Sequence, residues 1–188
     1  MKQLLTAISV GCLLGAGSLA APAGAAPARA ASRLAAVSCS AVSTTTVYGG
    51  YRTRIDCTGM GMVFGYGTTV TDAQREAALL AQLYSRTGIV CSGFNVTSAT
   101  GGYSVRTNCT RMGMVFGFGT TLTAAQQESR LLAQLYTETG NSCTGFSATL
   151  SGGSNRVRLN CSRGGMVFGY GSTLTDTAAN ARLLASLG

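Results

Sequence analysis

Histidine and tryptophan are absent from this 188-residue chain, and lysine occurs once, at Lys2. Without histidine there can be no Ser-His-Asp triad, no Cys-His nucleophile pair and no histidine-bound metal. The Cys-x-x-Cys spacing that zinc sites favour is also missing. Past the first thirty residues, no apolar run reaches the ~18 residues that a membrane helix needs. Acids are scarce: Asp56, Asp72, Glu76, Glu128, Glu138 and Asp176. Two carboxylates from different parts of the chain could do acid-base work, but no spacing here brings a pair together. The sequence thus gives no catalytic residues, no cofactor and no metal site.

What is present begins with an export signal. Lys2 gives a positive start, Leu4 to Leu19 is apolar and small, and Ala28-Arg29-Ala30 fits an Ala-x-Ala cleavage site. Residues 1–30 are read as a signal peptide, with Ala23-Gly24-Ala25 as a second possible cut. Cys12 has Ser9 three places before it and lies inside the apolar run, which argues against a lipidated cysteine. The mature chain is expected to be secreted or periplasmic. With Lys2 and Arg29 removed, twelve arginines face six acids. Arginine grips planar anions with a two-pronged fork that lysine cannot copy. That balance suits anionic glycans or other phosphate- or acid-bearing surfaces, and it also suits plain solubility.

The cysteines disclose a repeat. Cys39 and Cys57, Cys91 and Cys109, and Cys143 and Cys161 are each 18 apart, and the pairs recur every 52 positions. After each pair comes the same block: Gly61-Met62-Val63-Phe64-Gly65-Tyr66-Gly67, Gly113 to Gly119, and Gly165 to Gly171. Paired cysteines in an exported chain predict a disulfide framework. Only bridges inside each copy treat all copies alike: Cys39–Cys57, Cys91–Cys109 and Cys143–Cys161. Each would contribute ~3 kcal/mol in the chain-entropy model, which matters in modules too small for a large core.

Within a copy, glycine pairs (Gly49-Gly50, Gly101-Gly102, Gly152-Gly153) mark a hairpin turn between the cysteines. The third pair is one place out of register, so its turn can differ. The second arm alternates. Ile55 and Cys57 oppose Arg52, Arg54 and Asp56, and Val157, Leu159 and Cys161 oppose Arg156, Arg158 and Asn160, as in a half-buried strand. The Gly-Met-aromatic block reads as a third strand, with Met62, Phe64 and Tyr66 expected in the core beneath a helix. Thr71, Thr123 and Thr175 are expected to cap that helix, with Gln74 and Gln126 completing a capping box. Leu79, Leu80, Leu83 and Tyr84 form its apolar stripe, repeated at Leu131, Leu132, Leu135 and Tyr136 and at Leu183, Leu184 and Leu187. Gly88 and Gly140 end the first two helices.

The sequence therefore predicts an α+β fold of three tandem β-hairpin–strand–helix modules of about 52 residues, at 31–88, 89–140 and 141–188. Short joints force neighbouring modules to touch, either in a row or closed into a pseudo-threefold assembly. The candidate binding residues are Arg54, Arg106 and Arg158, which recur at one place on the second strand, with Arg52 and Arg156 two residues earlier. Arg111 and Arg163 recur after the second cysteine. Gly65-Tyr66-Gly67 before a helix start is a weaker anion candidate; a crowded strand end is the plainer reading.

From these residues we expect an exported non-catalytic binding protein that engages an anionic polysaccharide, an envelope component or an extracellular protein through the arginine face. A solvated polar face is the plainer alternative. Other readings are a self-assembling surface protein that uses the Gly-Met-aromatic blocks, or a secreted enzyme inhibitor. Nucleic acid is disfavoured, because the arginines do not interleave with exposed aromatics on one strand face.

Overall fold

The computed structural model describes residues 37–187. The expected signal peptide and Cys12 lie outside the described residues. Three modules follow one another, each a three-stranded antiparallel sheet with a helix on one face. Module 1 comprises β1 (Cys39–Val47), β2 (Gly50–Cys57), β3 (Gly61–Gly67) and α1 (Val70–Thr87). Module 2 comprises β4 (Cys91–Ala99), β5 (Gly102–Cys109), β6 (Gly113–Gly119) and α2 (Leu122–Thr139). Module 3 comprises β7 (Cys143–Ser151), β8 (Ser154–Cys161), β9 (Gly165–Gly171) and α3 (Leu174–Ser186). Among these residues no helix is long and apolar enough to cross a membrane.

The three intra-module disulfides form as expected. Each joins residues directly opposite one another at the open end of a hairpin. The turns fall one residue before the glycine pairs in the first two copies: Tyr48-Gly49 and Thr100-Gly101, with only the glycine at positive φ. That is the type II pattern. In the third copy Gly152 and Gly153 are both at positive φ, the pattern of a type I′ turn, so the shifted register does change the turn. The first arm carries a bulge at Val42, Phe94 and Phe146, where the pairing register skips one residue.

The second strand alternates as read. Thr53, Ile55 and Cys57 are buried while Arg52, Arg54 and Asp56 are half exposed. The helix caps lie two residues before the expected ones. Thr69, Thr121 and Thr173 are the N-caps and accept from the backbone N–H three residues on. The threonine doublets misled the reading, because either hydroxyl fits the pattern and only the strand end at Gly67 and its counterparts decides. Thr123 and Thr175 instead accept from the backbone N–H of Thr68 and Thr120 in the preceding module. Gly88 and Gly140 end the first two helices in the left-handed conformation, as expected.

Two further expectations are corrected. Met62, Phe64 and Tyr66 do not lie under α1. Val63, Gly65 and Gly67 face the helix, and a side chain on either glycine would run into the backbone of α1 at Ala73 and Ala77. The glycines therefore exist for close helix–strand approach, and they leave no room for an anion between β3 and its helix. Tyr66, on the opposite face, enters the next module and packs with Val105, Leu122 and Ala125. The second correction concerns Leu183, Leu184 and Leu187, which are exposed. In α3 the buried positions are Leu174, Thr177, Ala178, Ala181 and Ala185.

Both corrections have one cause. The modules stand in an open row, and each is half covered by the one after it. Strand β3 lies beside β4, β6 beside β7, and each helix packs on the next. Tyr66 is 3% exposed beneath module 2, whereas its counterpart Tyr170, in the last of the described modules, is 57% exposed. Strand β1 is exposed along nearly its whole length. The row is thus not closed into a ring. One apolar core runs through all three modules, from Ile55 and Leu80 through Val115 and Leu132 to Leu159 and Ala181, beside the smaller cluster around Tyr66.

Candidate functional site

Strand alternation places the five candidate arginines on the sheet faces opposite the helices, and each meets an aromatic ring or an acid there. Arg106 lies over Phe94, 4.3 Å from the ring centroid, and Arg158 lies over Phe146 at 4.0 Å. Arg52 sits 5.0 Å from Phe64 and Arg156 5.7 Å from Phe168. Arg54 differs, because bulge residue 42 is valine. Its guanidinium holds Asp56 through two hydrogen bonds of 3.1 and 3.0 Å. Arg158 donates to Asn160, which stands where Asp56 does in module 1. The five residues are thus not equivalent: Arg54 is charge-compensated, while Arg106 and Arg158 keep their charge on a phenylalanine platform. The buried Nε of Arg106 has no protein partner.

The bulge explains the platforms. An extra residue in the first arm pushes Phe94 and Phe146 out of the ladder, and both are more than half exposed. Across the second strand, Arg54, Arg106 and Arg158 pair with Phe64, Phe116 and Phe168 on the third. Each of Arg106 and Arg158 therefore stands between two phenylalanines. Consecutive groups share a cleft. Phe64 and Phe94 flank one of about 310 Å³, together with Arg52, Ser92 and Asn108. Phe116 and Phe146 flank one of about 650 Å³, rimmed by Thr97, Ser98, Ser104 and Ser147. The result is a line of alternating cations and rings that crosses all three modules.

Sequence reasoning placed the arginines and missed Phe94 and Phe146. On any one strand the arginines do not interleave with aromatics, as expected, but across the sheet face they meet rings from neighbouring strands. The recurrence of Phe at positions 94 and 146 at the repeat spacing was the available signal.

The other singled-out residues serve the scaffold. Asp72 and Asp176 accept from cap residues Thr69 and Thr173. Glu76 accepts from Arg130 at 3.1 Å and Glu128 from Arg182 at 3.1 Å, each pair bridging two modules. Burial pushes both carboxyls up from their ordinary range, and the arginines opposite pull them back. Burial likewise raises the Tyr66 phenol, with Arg52 opposing it. Arg111 occupies a turn at φ +73°, where module 1 has Gly59 at +78°. Arg163 ties its turn to the end of α2 by donating to the Thr139 carbonyl. No cluster of metal-binding side chains occurs among the described residues. Neither a protein-family model nor a curated protein matches this sequence.

Proposed function

We propose that the chain is an exported, non-catalytic binding protein whose arginine–phenylalanine line takes an extended anionic polymer, with an acidic envelope polysaccharide as the leading ligand. The observation that carries the reading is the alternation of guanidinium and ring along three modules, with consecutive groups sharing clefts. A guanidinium held flat on a ring has already lost most of its rotamer freedom, which lowers the entropy cost of gripping a carboxylate or sulfate. Sugar rings present apolar faces that suit the phenylalanines between the charges. Weak sites repeated on one rigid scaffold add through effective concentration.

The experiment is retention of the mature protein on acidic and neutral polysaccharides across a salt series, with single-stranded DNA as a third ligand. The double variant Arg106→Gln, Arg158→Gln is expected to lose most salt-sensitive retention. Arg54→Gln, whose charge Asp56 already offsets, is expected to change little. Equal retention on neutral polymer, or an unchanged double variant, would refute the proposal. Preference for the DNA would keep the surface and replace the ligand, since arginines interleaved with aromatics also suit stacked bases.

A further inference from the structure

The row has two ends, and each exposes a surface that is an interface elsewhere in the same molecule. At the far end, Leu184 is 51% exposed, while its counterparts Leu80 and Leu132 are fully buried by the following module. Tyr170 and Leu187 are exposed in the same way. At the near end, Val37, Cys39, Ala41, Ile55, Ala78 and Ala81 line an apolar groove of about 700 Å³. The counterparts Cys91 and Cys143 are fully buried against the preceding module. The occupant these ends fit is a second copy of this chain, continuing the row by the geometry of the two internal junctions.

Each internal junction is held by four recurrent contacts. The N–H of Phe64 donates to Ser92, and that of Phe116 to Thr144. Thr123 and Thr175 accept from Thr68 and Thr120. Glu76 pairs with Arg130, and Glu128 with Arg182. Gly93 and Gly145 lie against the preceding third strand: a methyl group at Gly93 would stand 2.6 Å from the Phe64 carbonyl oxygen, and one at Gly145 would be closer still to that of Phe116.

Fifty-two residues earlier or later, the ends carry two of these contacts and lack the other two. Ser40 and Thr71 keep the hydroxyls. But Ala41 stands where close approach needs glycine, and a backbone carbonyl cannot swing aside as a flexible side chain does. Ala78 replaces the arginine. Asn180 replaces the glutamate and turns back to donate to its own Tyr170 carbonyl at 2.9 Å. Both halves of the ion pair are missing together, so neither end leaves a buried charge.

We infer that the two ends are caps, in which Ala41, Ala78 and Asn180 bar a surface otherwise fitted to a second copy from extending the row head to tail. A head-to-tail contact that does not close grows into a filament.

The test opens the ends one at a time. The wild-type mature protein is expected to sediment as a monomer. Variant Ala41→Gly, Ala78→Arg opens the near end and Asn180→Glu the far end. Mixed together they are expected to form a one-to-one heterodimer at least tenfold tighter than either variant's self-association, and the triple variant is expected to form long assemblies. Wild-type chains that elongate, or folded variants that stay monomeric when mixed, overturn the inference. A converse arm does not need those variants to fold. Gly93→Ala places the end residue in an internal junction and is expected to lower the melting temperature by about 5 °C or more. An unchanged melting temperature would also overturn it.

Discussion

Replacing Arg130 by methionine isolates a charge in a way that pH can undo. The Glu76 side chain is fully buried, its Oε2 accepts from Arg130 at 3.1 Å, and its Oε1 has no protein partner. Methionine keeps the apolar stem of the side chain and removes the counterion. Breaking a buried pair from one side costs about 3–5 kcal/mol, because the remaining charge stays desolvated. We expect ~3 kcal/mol at neutral pH, or roughly 6–12 °C in melting temperature for a chain of this size. The sign of the pH dependence follows from the direction of the shift. The Glu76 carboxyl is already raised by burial, and loss of Arg130 raises it further. A raised carboxyl contributes stability that is full below the unfolded pKa and is lost as pH rises through the folded one. The deficit of Arg130→Met should therefore be largest at pH 7–8 and shrink towards pH 5. Urea denaturation followed by circular dichroism at steps between those pH values measures it. Adding Glu76→Gln should restore most of the loss and abolish its pH dependence. A deficit below about 1 kcal/mol, or one that is equal at pH 5 and pH 8, would refute the reasoning.

Arg182→Met should act in the same direction but less strongly, because Glu128 is 7% exposed and its arginine more so; the same pH series checks this. Arg111→Gly should stabilise the protein by about 1 kcal/mol, since a side chain at φ +73° bears a left-handed penalty; no rise in urea midpoint would count against it. The Cys39–Cys57 bridge should be reduced first under mild thiol, because Cys39 is exposed while Cys91 and Cys143 are fully buried. Alkylation and peptide mass mapping at short times reads the order, and equal rates at all three bridges would refute it.

The sequence disclosed much of what is written inside one copy, though not the helix N-caps or the bulge. Cysteine spacing gave the bridges, alternation gave the buried face of β2, and Gly88 and Gly140 gave the helix ends. It misplaced the side chains whose environment belongs to the next copy. Tyr66 and Leu80 read as residues of their own module's core, yet module 2 is what buries them. Short strands broken by glycine carry no polarity of their own, so β3 offered no clue to which face was which. The ion pairs were nearer to legible. Glutamate at 76 and 128 and arginine at 130 and 182 are offset by 54 residues in both junctions, and the missing partners at Ala78 and Asn180 mark the ends. The arginine platforms lay between these cases, visible as recurrence but not as contact until the bulge was known.

The shared core has a consequence for dissecting the molecule. The unit that repeats in the sequence is not the unit that holds together. A fragment cut at the repeat boundary around Gly88 would strip Tyr66 and Leu80 of their cover and take from Gly93 the strand it rests on. A fragment that keeps a junction whole must span more than one repeat, since Glu76 and Arg130 are 54 residues apart and Thr68 and Thr123 are 55. The smallest piece that holds a junction together is therefore longer than the repeat that the cysteines mark out.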